Sequence, residues 1–330
     1  MTAATMELVC PAGTPAALEA AVDAGADTVY LGFRDATNAR NFPGLNFSRD
    51  DLRRGLAYAH ARGRKVYLAI NTFPHVADDG PWRSAVDDAA ALGVDAVILA
   101  DIGLLAYAAA HHPALRRHLS VQASAAHPLA LEYYVREFGI SRAVLPRVLT
   151  VSQVKAIAAE GRVETEVFVY GGLCPMAEGR CALSSYATGR SPNTFGVCSP
   201  ASHVQYLTID DALVARLGDF TINRFAAGES PGYPTLCKGR FEAGGRQTYL
   251  FEDPVSLDAR PLIPEFAAAG VRALKIEGRQ RGRAYVAQVV GALRSAVDAA
   301  ASGRPASSQA LTALSEGGQA TSGAYRKGWR

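Results

Sequence analysis

Residues 24–32, Ala-Gly-Ala-Asp-Thr-Val-Tyr-Leu-Gly, and residues 92–101, Leu-Gly-Val-Asp-Ala-Val-Ile-Leu-Ala-Asp, are two versions of one phrase. Each reads as the end of a helix, a tight turn at glycine, then a short apolar strand. A strand of this kind, without polar alternation, is buried on both faces and belongs to a parallel sheet. The same phrasing recurs along the chain. Strand candidates are Glu7–Cys10, Thr28–Phe33, Lys65–Asn71, Ala96–Asp101, Leu119–Ala123, Ala143–Arg147, Glu164–Tyr170 and Ala273–Glu277. Helical patterns at Pro15–Ala24, Asp51–Arg62, Trp82–Leu92, Ala125–Phe138, Val151–Ala159 and Ala284–Ala301 lie between them, and Gly25, Gly63, Gly93, Gly139 and Gly161 are placed to end helices.

Eight strands alternating with helices predict an α/β fold, a (β/α)8 TIM-like barrel. A doubly wound open sheet is the runner-up, but no Gly-x-Gly-x-x-Gly follows the first strand. The rhythm breaks after Tyr170. The organisation expected is barrel strands 1–7 in residues 1–170, a cysteine-rich insertion subdomain in 171–270, and the last strand, a helix and a Gly/Ser-rich tail in 271–330. Within the insertion, Val204–Ile209 reads as a strand and Gly244-Gly245 as a hairpin turn.

The chain has 330 residues and a net charge of +3. Near-balanced charge gives no basic field for nucleic acid, so RNA or DNA is not expected as a partner. No apolar run is long enough to span a membrane, and residues 1–6 lack the features of a signal peptide, so a cytoplasmic location is expected. Five cysteines in a reducing compartment argue against a disulfide frame.

Four of the five follow the pattern Cys174-x6-Cys181-x16-Cys198-x38-Cys237. Four thiolates suit a [4Fe–4S] cluster or a tetrahedral zinc. Zinc sites favour close Cys-x2–4-Cys pairs, and none exists here, so widely spread loop ligands fit a cuboidal cluster better. Unligated thiols remain a third reading. Arg180, Lys238 and Arg240 adjoin the cysteines in sequence and are candidates to offset the cluster's negative charge. Cys10 reads as a small core residue.

Chemistry in barrels sits at the C-terminal strand ends. Those ends carry Arg40, Asn71, Asp101, Gln122, Arg147, Lys275 and Arg279, with Glu166, Tyr170 and Glu277 as candidate acid–base groups. Arg40, Arg147 and Arg279 would converge on one mouth and bind an anion by two-point geometry. Each has a competing reading as a structural ion pair. Hydrolase motifs are missing: no His-Glu-x-x-His and no Gly-x-Ser-x-Gly occurs. Of the histidines, only His75 is placed for a role at the mouth, while His111-His112 closes a helix.

The stretches Glu-Leu-Val-Cys-Pro-Ala-Gly (7–13), Asn-Ala-Arg-Asn-Phe (38–42), Tyr-Gly-Gly-Leu-Cys-Pro-Met-Ala-Glu-Gly-Arg-Cys (170–181), Ser-Pro-Asn-Thr-Phe-Gly-Val-Cys-Ser-Pro (191–200), Gly-Tyr-Pro-Thr-Leu-Cys-Lys-Gly-Arg (232–240) and Leu-Lys-Ile-Glu-Gly-Arg (274–279) resemble the collagenase-like peptidase family. The resemblance runs to the C-terminal Gly-Ala-Tyr-Arg-Lys-Gly-Trp-Arg (323–330), and it is nearest to the members that serve oxygen-independent ubiquinone biosynthesis. It implies a [4Fe–4S] cluster on Cys174, Cys181, Cys198 and Cys237. It implies a heterodimer with a UbiV-like protein that carries its own cluster, and hydroxylation of a ubiquinone precursor ring without O2. Relatives that hydroxylate RNA bases take the hydroxyl from prephenate, a dicarboxylate, which agrees with the three arginines. Peptidase activity and RNA base hydroxylation are the alternatives.

Overall fold

A computed structural model describes residues 6–229, 231–304 and 311–327. The short apolar runs form eight parallel strands: β1 (Glu7–Pro11), β2 (Thr28–Leu31), β3 (Lys65–Ile70), β4 (Ala96–Leu99), β5 (Arg117–Leu119), β6 (Arg142–Val144), β7 (Glu164–Gly172) and β8 (Ala273–Ile276). They pair in order, and β8 closes the ring by pairing with β7 on one side and β1 on the other, with Lys275 opposite Phe168 and Val9. The fold is therefore a closed parallel barrel with helices around it, and the open-sheet alternative is excluded.

Local sequence explains the frame. Thr14 caps the helix Pro15–Asp23 by accepting the Ala17 N–H at 3.2 Å, with proline in the first turn. Such a cap is worth about 1 kcal/mol. Ala17, Leu18, Ala21 and Val22 form its buried stripe. The helix after β4, Ile102–His111, is capped by Asp101, whose carboxylate accepts the Leu104 N–H at 2.9 Å. Asp101 is thus a cap and not a mouth residue. His111 lies in that helix's last turn as its pattern suggests, and His112 bonds Asp87 at 2.7 Å.

The inside of the barrel is divided by height. Strand alternation turns Val9, Tyr30, Tyr67, Ala69, Ala96, Ile98 and Ala273 into one small inner apolar cluster. Toward the N-terminal ends of the strands the interior is polar. Arg142 donates to Glu7 at 2.9 Å, to Glu164 at 2.8 Å and to Glu166 at 3.3 Å. Glu7 also accepts from Tyr67 at 2.8 Å and Thr28 at 2.5 Å. Glu166 then pairs with Lys275 at 2.6 Å. Cys10 is fully buried in the outer core, as a small apolar residue.

Between β7 and β8 the chain leaves the ring. It forms an antiparallel sheet of Val204–Ile209, Ala212–Leu217 and Phe220–Arg224, then a hairpin of Arg240–Ala243 with Arg246–Tyr249. Gly244 and Gly245 make its two-residue turn with φ of 58° and 73°, the positive values a type I′ turn requires. Ser256–Asp258 returns antiparallel to the end of β7. The described part of the tail, 311–327, packs on the barrel: Ala320–Thr321 pairs with Ser256–Leu257, and the buried Tyr325 donates to the Phe168 carbonyl at 2.8 Å. Residues 1–5 and the last three residues of the C-terminal motif lie outside the described residues.

Candidate functional site

At the C-terminal ends of the strands a cavity of about 60 Å³ opens, space for several waters. Arg40, Asn71, Gln122, Arg147, Lys275, Glu277 and Arg279 all line it, beside Tyr30, Ser120, Ile98, Val144 and Phe168.

Most of the polar lining residues are held by partners. Arg40 follows β2 in a loop and takes φ of +91°, a value rare for a side-chain-bearing residue. Its amide donates to the Gly196 carbonyl at 2.7 Å, and Asn46 donates to its carbonyl at 2.9 Å. So held, Arg40 Nε reaches Glu277 Oε1 at 3.1 Å. Glu277 Oε2 accepts the Gly172 N–H at 2.9 Å. Gly171, at φ +115°, allows this approach, because a Cβ there would lie 2.2 Å from the Glu277 carbonyl. Burial raises the Glu277 pKa, but the facing Arg40 and Arg147 and the Gly172 amide outweigh it and hold the carboxyl below its ordinary value.

Arg147 Nε pairs with Glu178 Oε1 at 2.7 Å, and both side chains are buried. Its Nη1 donates to the Gly172 carbonyl, and its guanidinium lies 4.4 Å over the Phe168 ring. Burial lowers the Lys275 pKa more than Glu166 restores it, so the net shift is downward. Asn71 accepts the Ala39 N–H at 3.0 Å and donates to Ser120 at 3.3 Å, so it ties the β2 loop to the end of β5. Gln122 stands on a single 3-10 turn, Val121–Ala123, and not on the strand expected there; its buried Oε1 has no partner among the described residues.

Two candidate acid–base groups are not in the cavity. Glu166 lies below it in the barrel interior, fully buried between Lys275 and Arg142. Tyr170 faces away. Strand period two would align it with Glu166 and Phe168, but the β7–β8 register skips a residue between Phe168 and Tyr170. This bulge turns Tyr170 outward. Its hydroxyl donates to the Leu311 carbonyl at 3.1 Å, so the catalytic role expected of it is withdrawn. His75 lies outside the lining too, edge-on to Phe195 with centroids 5.3 Å apart.

The four clustered cysteines are partly buried beside this cavity. Their charges reach one another: Cys198 acts on Cys174, Cys181 acts on Cys198, and Cys181 and Cys198 act on Cys237. Burial raises the Cys174 thiol to about 12, opposed by Arg147, and raises Cys198, opposed by Arg40. The cations that serve the thiols are therefore mainly the cavity arginines. Lys238 acts on Cys237 but is itself paired with Glu316, and Arg240 is paired with Glu229 at 3.0 Å. Among the described residues no three His, Cys, Asp or Glu gather tightly enough for one metal ion. Four thiols within electrostatic reach of one another, with the buried Arg147 and the half-buried Arg40 beside them, are the donor type that a cuboidal iron–sulfur cluster takes.

Glu178 was not singled out from the sequence. A lone carboxylate inside the Gly/Pro-rich span from Cys174 to Cys181 was the available signal. Its Oε2 is buried without a partner among the described residues. Arg142 was missed because β6 starts one residue earlier than its apolar run.

The peptidase family U32 model matches residues 13–329. Among similar proteins, the tRNA hydroxylation protein P of Escherichia coli K12 is 32% identical, over 93% of this chain and 71% of that one. The collagenase of Porphyromonas gingivalis is 30% identical, over 90% of this chain and 66% of that one. The 23S rRNA 5-hydroxycytidine C2501 synthase of E. coli K12 is 29% identical, over 89% of this chain and 39% of that one. No described helix is long and apolar enough to cross a membrane. With a closed barrel, four cysteines at its mouth and a match over nearly its whole length, the chain belongs to peptidase family U32.

Proposed function

We propose that this protein is a UbiU-like hydroxylation factor that adds oxygen to a ubiquinone precursor ring without O2, in the cytoplasm and with a UbiV-like partner subunit. The observation that carries the reading is the link between cavity and cysteines. Arg40 and Arg147 line the cavity and also act on Cys198 and Cys174. A [4Fe–4S] cluster held by Cys174, Cys181, Cys198 and Cys237 would supply one-electron chemistry at the cavity edge. The cavity would bind an anionic hydroxyl donor, with prephenate as the candidate. Its ion pairs are preformed, so the donor meets fixed charges and needs little reorganisation. Glu277, kept ionised by two arginines, would orient the donor or accept a proton from it.

The relatives favour a second reading, RNA base hydroxylation by the same chemistry, because two of those named above act on tRNA or rRNA by name. A peptidase reading gains less. Neither histidine nor cysteine lines the cavity, and the hydrogen bonds of Ser120 Oγ among the described residues come from Asn71 and the Gln122 amide, neither of them a base. Mass spectrometry of quinone intermediates and of RNA from a deletion strain grown without oxygen separates the readings. Accumulated unhydroxylated quinone precursor with unaltered RNA supports the first. An intact quinone pool with a missing RNA modification replaces it by the second.

A further inference from the structure

Four cations line the cavity, and three of them are already neutralised. Arg40 has Glu277 at 3.1 Å, Arg147 has Glu178 at 2.7 Å and Lys275 has Glu166 at 2.6 Å. Arg279 differs. Its side chain is buried, and among the described residues it has no carboxylate within ion-pair distance. Its Nη1 donates to Asn38 Oδ1 at 2.9 Å and its Nη2 to the Ala39 carbonyl, both neutral acceptors. These bonds fix the guanidinium in place without cancelling its charge. The position is built into the backbone: a Cβ at Gly13 would lie 1.8 Å from the Arg279 carbonyl, and one at Gly32 would lie 2.7 Å from its Nη1.

A buried, unpaired guanidinium is costly, and proteins retain one where an anion completes it. Burial lowers the Arg279 pKa to about 10; Tyr30 and the more distant Glu277 carboxylate oppose the shift without overcoming it, and Arg40 adds to it. The rest of the wall describes the body of the ligand. Tyr30, Ile98, Val144 and Phe168 present apolar surface. Lys275 Nζ sits 3.8 Å from the Tyr30 ring centre, so that face of the ring is already taken.

We infer that Arg279 is the anchor for one carboxylate of the bound small molecule, a compact carboxylate with a flat apolar ring. Arg40 and Arg147 then brace the cysteine-bearing loops and do not grip the ligand. This assignment deepens the reading of the cavity as the donor pocket and rests on it. It selects one arginine among three that are equivalent in sequence.

The test is equilibrium binding to the protein purified without oxygen, with benzoate, benzamide and prephenate as probes. Benzoate and benzamide differ little in shape but only benzoate is charged. The unaltered protein should bind benzoate at least about tenfold more tightly than benzamide, as expected for a hydrogen bond to a charged group. Arg279→Gln should weaken the carboxylates about tenfold to a hundredfold, with iron per chain unchanged, and Arg279→Lys should recover part of the loss. Equal binding of benzoate and benzamide overturns the assignment without any variant, as does wild-type affinity in Arg279→Gln or failure of all three probes to bind. If benzoate binds through Arg279 but prephenate does not bind, the anchor stands and the choice of prephenate as donor falls.

Discussion

Replacing Arg147 by methionine should damage this protein out of proportion to the loss of one side chain. Arg147 and Glu178 are 6% and 4% exposed. Among the described residues the substitution removes the one partner of Glu178 Oε1, and Oε2 already has none. A buried carboxylate is then left uncompensated, at a cost of about 3–5 kcal/mol. The lost bond to the Gly172 carbonyl adds about 1 kcal/mol. Against a typical total of about 5–15 kcal/mol, this is a large part of the stability. Glu178→Gln should cost less, about 1–3 kcal/mol, because the amide oxygen can still accept from Arg147. In Arg147→Met/Glu178→Leu both charges go, and the stability should return to within about 2 kcal/mol of the parent. Denaturant titration followed by circular dichroism gives all three values. The rescued double variant also isolates the second role of Arg147. It should fold yet hold its metal poorly, because the cation beside Cys174 is gone and Cys198 keeps Arg40 without Arg147. A single variant that unfolds at the parental midpoint would refute the reasoning, and so would a double variant no more stable than Arg147→Met.

Gly171→Ala should lower the melting temperature sharply, since it combines a φ of +115° with a 2.2 Å approach to the Glu277 carbonyl. Tyr170→Phe should cost about 1 kcal/mol from its bond to Leu311 and leave ligand binding in the cavity unchanged; a lost ligand affinity would restore Tyr170 to the site. Burial pushes the Glu7 pKa up, but Arg142, Thr28 and Tyr67 together bring it from 4.5 to about 2. A depressed carboxyl stabilises the fold above the unfolded pKa. About 3 kcal/mol should therefore be present above pH 4.5 and be lost between pH 4.5 and 2. Glu7→Gln should flatten the stability profile in that window, and an unchanged profile would contradict the pairing.

The order of elements was legible because each strand is a short apolar run bounded by turn residues. Glycines 25, 63, 93, 139 and 161 all take positive φ after helices, from 59° to 102°. The cavity lining was largely legible as well, because the barrel brings its strand ends together whatever the sequence between them. What stayed hidden was phase. One extra residue in β7 sends Tyr170 outward, and nothing in Val-Phe-Val-Tyr announces it. Starting β6 at Ala143 hid Arg142, and starting β5 at Leu119 hid His118. His118 is fully buried, edge-on to Tyr67, with neither ring nitrogen partnered among the described residues. Pairing was hidden too. Three arginines at strand ends look alike in sequence, and only their distances to carboxylates divide them. Likewise Lys238 lies beside Cys237 in the chain, yet its ammonium is committed to Glu316 and the Val255 carbonyl.

The account depends most on what the four clustered thiols hold. Iron and acid-labile sulfide should be counted, with an absorption spectrum, on protein purified without oxygen, beside Cys198→Ser. A brown protein with about four irons per chain, bleached by air and by loss of Cys198, is the result expected of one cubane. A colourless protein carrying one zinc per chain, or no metal at all, would contradict it.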